Sequence, residues 1–313
     1  MYSLSLFMIR FLKNKNYFSS PLIWDSRLGN KNSLALALIY AELNEYESSQ
    51  TMQDIRNARL RNLVRHAYAN VKLYKDVFDA TKFDPVGFCN EEDLAAIIPV
   101  SKSLFRNYDR GDTVASNIDI KRRREGLTSG STGEPFRYCS DSAYQNERSI
   151  LSRRVWRWAK LDYAEPKIYC STESARNLWP NMTFLHPHFI YSRKAEYIKI
   201  IRALRAPAIF GYPLSTFELL WMLVENGVKD VQFKIASFTG HAVSNGIRKF
   251  FKDNFGGEVF VYYGAMEIGS MAIECAEHYG MHIQEENTII EIVDSKGRVV
   301  RPGQVGRVLI TYL

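Results

Sequence analysis

Leu127-Thr128-Ser129-Gly130-Ser131-Thr132-Gly133-Glu134-Pro135 is the stretch on which the reading of this chain turns. Two glycines bracket a Ser-Thr pair. Glycine lets the backbone turn where a Cβ would clash and lets amides approach a ligand closely. Hydroxyls add donors, and successive exposed amides form a concave nest for anions. The basic run Lys121-Arg122-Arg123-Arg124 lies just upstream. Thr128, Ser129, Gly130, Ser131, Thr132 and Gly133 therefore read as a grip for polyphosphate, with ATP the candidate. The common P-loop is excluded, because it needs a Lys followed by Ser or Thr after the last glycine. Glu134-Pro135 stands there instead. The bland alternative is a polar surface turn.

A second feature lies far downstream, in Val259-Phe260-Val261-Tyr262-Tyr263-Gly264-Ala265-Met266-Glu267-Ile268-Gly269. An apolar, aromatic run ends in a glycine turn that presents a carboxylate. The Tyr263 ring can stack on a base, and the Glu267 oxygens suit a hard cation such as Mg²⁺. The alternative is a buried strand running into a helix, with Glu267 in its first turn as a dipole partner.

Together the two motifs resemble the adenylate-forming (AMP-binding) superfamily. The closer likeness is to the phenylacetate–coenzyme A ligase group, including its branch associated with capsular-polysaccharide biosynthesis. Phe210-Gly211-Tyr212-Pro213-Leu214-Ser215 resembles a strand-to-helix turn of that branch. Ser237-Phe238-Thr239-Gly240-His241-Ala242-Val243 stands where the family has a Gly-Glu turn beside the adenine. Glu274-Cys275 through His282-Ile283, Glu291-Ile292-Val293-Asp294 and Val305 to Thr311 are similar to its later segments, so the resemblance covers about residues 95 to 313.

The resemblance implies that Ser129, Gly130, Ser131, Thr132 and Gly133 hold the outer phosphates of ATP and that Glu267 binds Mg²⁺. It implies further that Tyr263 stacks on adenine, with Gly240, Gly264 and Ala265 lining it. The substrate it implies is a small-molecule carboxylic acid near Tyr212, and the acceptor is coenzyme A. Two positions depart from the pattern: His241 replaces the usual Glu, and Val261 stands where relatives are often acidic. The family continues into a ribose-binding Asp, a hinge and a C-terminal lid domain carrying a Lys. The chain is expected to be the large N-terminal domain alone, since it stops at Leu313.

Composition is that of a globular protein, with 46% hydrophobic and 24% charged residues. A net charge of +7 helps attract a triphosphate. No zinc-finger spacing or RNP-type aromatic motif accompanies it, so nucleic acid is not an expected partner. The run 121–124 reads as a solvated face that can also steer nucleotide. Cys89, Cys139, Cys170 and Cys275 are scattered without a CxxC pair, which suits a reducing cytoplasm. Cys275, His278 and His282 are close in sequence, but a tetrahedral site wants a fourth ligand that is not evident. Leu4, Phe7, Met8, Phe11 and Leu12 fall at helical spacing near the N-terminus, without a secretory cleavage site. They read as a docked helix, with membrane-surface contact the lesser alternative.

Periodicity predicts helices over 30–80, from Asn90 to Pro99, and over about 141–160, 194–204, 216–225 and 245–251. Strands are expected at 136–139, 167–170, 208–210, 233–236 and 259–262, then at 288–293 and 305–311. Alternating strands and helices predict a layered α/β domain with a largely parallel sheet. Three regions follow: a helical one at 1–100, an α/β nucleotide-binding core at 101–280, and an incomplete β-rich subdomain at 281–313. In such sheets ligands sit at the carboxyl ends of strands, where Gly240-His241 and Tyr263-Gly264 would wall one adenine pocket. Three functions stay open: carboxylate activation by a fuller enzyme, nucleotide binding without turnover, and a scaffold in polysaccharide assembly.

Overall fold

The computed structural model describes residues 47–119, 121, 123–128, 130, 133–151, 154–162, 165–171 and 181–313. Ser129, Ser131, Thr132 and the apolar N-terminal stretch lie outside the described residues. In chain order the helices and strands begin with α1 (Ser49–Asn70), α2 (Lys72–Thr81) and α3 (Lys102–Arg106). Then come β1 (Arg124–Leu127), β2 (Arg137–Ser140), α4 (Ser142–Leu151) and α5 (Arg154–Trp158). They continue through β3 (Lys167–Cys170), β4 (Met182–Leu185), α6 (Lys194–Leu204), β5 (Ala208–Gly211), α7 (Pro213–Glu225) and β6 (Ile235–Phe238). The last are α8 (Asn245–Phe255), β7 (Glu258–Ala265), β8 (Gly269–Ile273), β9 (His282–Ile283), β10 (Thr288–Val293) and β11 (Arg307–Tyr312).

Two compact units result. Among the described residues, one combines those up to Ile150 with Glu285–Leu313; the other runs from Leu151 to Gln284. The sequence divides the chain at about 100 and 280, whereas the spatial units interleave it at 150 and 285.

The first unit is built on α1. Ser48 caps it, its hydroxyl accepting from the Thr51 amide at 3.1 Å, which satisfies one of the free donors of the first turn. Leu60 and Val64 of α1 pack with Leu73, Val77 and Phe78 of α2, and with Phe88, Leu94, Ala115 and Ile289. Ile289 comes from β10, whose antiparallel partner is β11. A polar knot lies beside this core: Arg59 donates to Glu147 Oε1 at 2.8 Å, to the Glu286 carbonyl at 2.9 Å and to the Leu313 carbonyl at 3.2 Å. Burial pushes the Glu147 carboxyl above its ordinary value, against the opposing pull of Arg59.

The second unit is a seven-stranded sheet in the order β4-β3-β5-β6-β7-β8-β9. Strands β4, β3, β5, β6 and β7 are parallel; β8 and β9 are antiparallel. The expected largely parallel sheet is thus present with an antiparallel edge. Alternate residues of each strand face opposite sides. Ile209, Ala236, Phe238, Val259 and Val261 join Leu219, Leu223, Phe251 and Phe255 of α7 and α8 in one core. Ala208, Phe210, Ile235 and Phe260 join Trp156 and Leu161 in a second core on the other face. With both faces covered, β5 and β6 are buried throughout, which is why they read as continuous apolar runs.

Most expected elements stand where periodicity puts them. The expected helix at 141–160 is described as α4 and α5, residues 152–153 lying outside the described residues, and the strand expected at 233–236 runs two residues later. After Tyr263 the structure goes against the bland alternative of a strand running into a helix. Strand β7 does not lead into a helix: it continues to Ala265 and turns tightly into β8. Glu267 therefore lies at a hairpin tip and faces no helix dipole.

Candidate functional site

In the first unit, β1 and β2 form an antiparallel hairpin with Leu127 opposite Arg137. Its loop carries the hydroxyl-rich motif. Thr128 closes the loop from both sides, its amide donating to the Phe136 carbonyl and its Oγ1 accepting from the Phe136 amide, each at 2.9 Å. The Thr128 O–H remains available as a donor. Within the loop the Gly133 amide donates to the Gly130 carbonyl at 2.7 Å. Gly130 adopts φ 69°, and a Cβ there would fall 2.7 Å from the Pro135 nitrogen, so the turn requires glycine.

Helix α3 packs one face against this loop. Ser101 caps the helix, accepting from the Leu104 amide at 3.1 Å. Lys102 Nζ lies 5.1 Å from the Phe136 ring centroid, and Phe105 meets the same ring edge-on at 5.7 Å. Arg106 Nη2 donates to the Glu134 carbonyl at 3.1 Å, and its Nε lies 3.6 Å from the Glu134 carboxylate. The upstream basic run is not uniformly solvated. Lys121 and Arg124 are exposed, but Arg123 turns inward and donates to the Ala115 and Ile118 carbonyls at 3.0 and 2.8 Å.

In the second unit the parallel strands end level, with Cys170, Gly211, Phe238 and Val261 in successive register. Just past that level on adjacent strands come Tyr212, Gly240-His241 and the extension of β7 that carries Tyr263, Gly264 and Ala265. Gly240 takes φ 85°, and a Cβ there would lie 2.8 Å from Cδ1 and Cε1 of Tyr212. Absence of a side chain at Gly240 is what lets that ring lie against the backbone. Gly240, His241 and Tyr263 are exposed, Tyr263 by 44%. The β7–β8 register shifts between Tyr263 and Gly264, and Gly264 is pressed against the Gly269 carbonyl. The Ile268 amide closes the turn on the Ala265 carbonyl at 3.1 Å, holding half-buried Glu267 at the tip.

The other end of β7 is fixed by a carboxylate. Glu274 is buried, and its Oε2 accepts from the Val261 amide at 2.8 Å. Arg248 Nη2 lies 3.0 Å from Oε1, and His278 Nδ1 lies 3.2 Å from the same oxygen. His278 is thus held by a carboxylate, while His282 meets the Trp158 ring at 5.3 Å. Among the described residues, no group of three or more His, Cys, Asp or Glu side chains could hold a metal ion. The Cys170 thiol is buried and pushed up to about 12, chiefly by desolvation, so it is no nucleophile.

The structure thus groups Gly240, His241, Tyr263, Gly264, Ala265 and Glu267 at one sheet edge of the second unit. It sets Thr128, Gly130 and Gly133 on a hairpin of the first. Sequence reading missed Lys102 and Arg106, whose i, i+4 spacing after a Ser cap was an available signal. It also missed Glu274, which no local pattern distinguishes.

No family model and no curated protein matches this chain. Solved structures do. A 2-hydroxyisobutyryl-CoA ligase with 2-HIB-AMP and CoA in the thioesterification state is 17% identical, with a TM-score of 0.73 over 85% of this chain and 60% of that one. An open conformation of the ligase, also with 2-HIB-AMP and CoA, is 16% identical, with a TM-score of 0.72 over 83% and 61%. The chain spans about 60% of the length of these structures. The likeness establishes the fold: an α/β domain with a mixed seven-stranded sheet, the architecture of the N-terminal domain of adenylate-forming enzymes.

Proposed function

We propose that this chain binds ATP as part of an enzyme that activates a carboxylic acid as its acyl-adenylate. The observation that carries the reading is the convergence of Gly240-His241 and Tyr263-Gly264 at the carboxyl edge of neighbouring strands. That edge is where open α/β sheets bind ligands. The fold is shared with a ligase crystallised with an acyl-AMP. In the reaction a carboxylate oxygen attacks the α-phosphorus, the new P–O bond forms, and pyrophosphate leaves with the old one.

The residues fit the nucleotide. Tyr263 offers an exposed ring for adenine, and Gly240, Gly264 and Ala265 are assigned to line it. The resemblance assigns the outer phosphates to Thr128, Ser129, Gly130, Ser131, Thr132 and Gly133. Mg²⁺ commonly binds through one or two carboxylates plus substrate phosphates, so a lone Glu267 is enough. Bound there, the ion would neutralise charge on the phosphate oxygens. His241, exposed beside Gly240, puts an imidazole where the resemblance implies a carboxylate.

The finer reading is a phenylacetate–coenzyme A ligase-like enzyme, with coenzyme A as acceptor and a link to capsular-polysaccharide assembly in the cytoplasm. Carboxylate-dependent pyrophosphate exchange, screened across aromatic, fatty and amino acids, tests it. Exchange with at least one acid is expected, and Glu267→Gln should reduce it by at least 100-fold with an unchanged circular-dichroism spectrum. Failure to bind ATP–Mg²⁺ in calorimetry by folded protein would remove the reading.

A further inference from the structure

Strand β7 is held by different neighbours over its two halves. Strand β6 pairs with it from Glu258 to Val261, and β8 from Tyr262 to Ala265. Tyr263 and the tip that carries Glu267 therefore belong to an extension braced by one strand only. At the handover Glu274 binds Val261 twice. Its amide donates to the Val261 carbonyl at 2.9 Å, and its Oε2 accepts from the Val261 amide at 2.8 Å. A side chain thus supplies half of a rung that two backbones would otherwise share. Arg248 of α8 locks it in place. Its Nη2 reaches Oε1 at 3.0 Å and Oε2 at 3.1 Å, and its Nη1 donates to the Val259 carbonyl at 2.6 Å. His278 Nδ1 lies 3.2 Å from Oε1 of the same buried carboxylate.

We infer that Glu274, held by Arg248, is a positioning residue for the adenine nucleotide. It fixes the angle at which the extension leaves Val261 and the register of β8 against it. Those two settings decide where the Tyr263 ring and the Glu267 carboxylate stand. Register matters because a slip of one residue turns each side chain to the opposite face. Stability alone does not call for this arrangement, since a buried ion pair seldom outperforms apolar packing of the same volume. Glu274 acts on adenine through Tyr263. The inference rests on the nucleotide reading above and lies wholly within the second unit.

Calorimetry with AMP tests it, on the unaltered chain, on Glu274→Ala, Glu274→Gln and Tyr263→Ala, and on each Glu274 change combined with Tyr263→Ala. Glu274→Ala should weaken AMP roughly tenfold, yet add less than about twofold once Tyr263 is alanine, the non-additivity of residues that act as a unit. Glu274→Gln keeps an acceptor for the Val261 amide but gives up the charge, and should lose less. Hydrogen exchange gives a second readout: Glu274→Gln should speed exchange across residues 262–273 and leave β5 and β6 protected. A merely structural carboxylate would multiply its loss with that of Tyr263→Ala, and that result overturns the inference. So does AMP binding by Glu274→Ala equal to that of the unaltered chain, which would leave the nucleotide reading standing. Should Glu274→Ala fail to fold, Glu274→Gln carries both the cycle and the exchange measurement, and unchanged exchange at 262–273 overturns the inference as well. No AMP binding by the unaltered, folded chain would sink both readings.

Discussion

Single residues set what the proposed site can do. Tyr263 is exposed on a strand whose Val259, Phe260 and Val261 are buried, and an exposed ring at a sheet edge is a stacking platform. Base–aromatic stacking contributes about 1–3 kcal/mol, so Tyr263→Ala should weaken ATP roughly 5- to 150-fold and Tyr263→Phe little, as read by calorimetry. Gly240 makes a steric prediction. An alanine there meets the Tyr212 ring at 2.8 Å and must hold φ 85°, a conformation costing L residues about 1–2 kcal/mol. Gly240→Ala should therefore lower stability by about that amount in urea titration and weaken nucleotide binding as Tyr212 shifts. Glu147 carries the clearest pH signature. Its folded pKa is raised by burial, so in the window above the ordinary carboxylate value the native state binds more protons than the unfolded one. Stability then falls as pH rises through that window. Thermal melts from pH 4 to 7 should show this contribution, and Glu147→Gln should flatten it.

Elements were legible wherever a cap, a stop and a period coincide. Helix α8 shows all of these: Ser244 accepts from the Ile247 amide at 3.3 Å, and Gly256 ends the helix at φ 79°. Losing such a cap costs about 1 kcal/mol, so Ser244→Ala should lower the melting temperature by a few degrees without altering the fold. Strands β5 and β6 were legible because both faces are buried and the sequence is apolar throughout. Strands β1, β4, β8 and β9 were missed for the converse reason. Arg124-Glu125-Gly126-Leu127 has no apolar run, and its pairing with β2 is fixed by Thr128 and Phe136 across the loop. Strand β8 was missed because the glycine turn after Tyr263 does not by itself say what element follows it. Only the antiparallel pairing of Ala272 with Tyr263 shows that the chain doubles back.

At the scale of the molecule, chain order and spatial grouping part company. Residues 285–313 pack with the N-terminal helices rather than with the sheet that precedes them. Ile289 lies in the same core as Leu60, which is fully buried. Leu60→Ala should cost about 2–5 kcal/mol and reduce hydrogen-exchange protection in β10 and β11 as well as in α1. Loss confined to α1 would contradict the common core. No helix among the described residues is long and apolar enough to cross a membrane.

What the sequence determined by itself was local: where most helices and strands lie, and which loop and side chains are candidates for holding an anion, stacking on a base or binding a hard cation. Periods of 2 and 3.6, glycines and caps act within a few residues, so they can be read from one chain. Tertiary structure alone decided that Glu267 tips a hairpin and that Gly240 and Tyr263 share one sheet edge. It alone decided that Arg106 bonds the Glu134 carbonyl and that Arg59 knots the first unit. Those facts depend on hydrogen-bond register and side-chain packing between segments far apart in the chain, which no local pattern encodes.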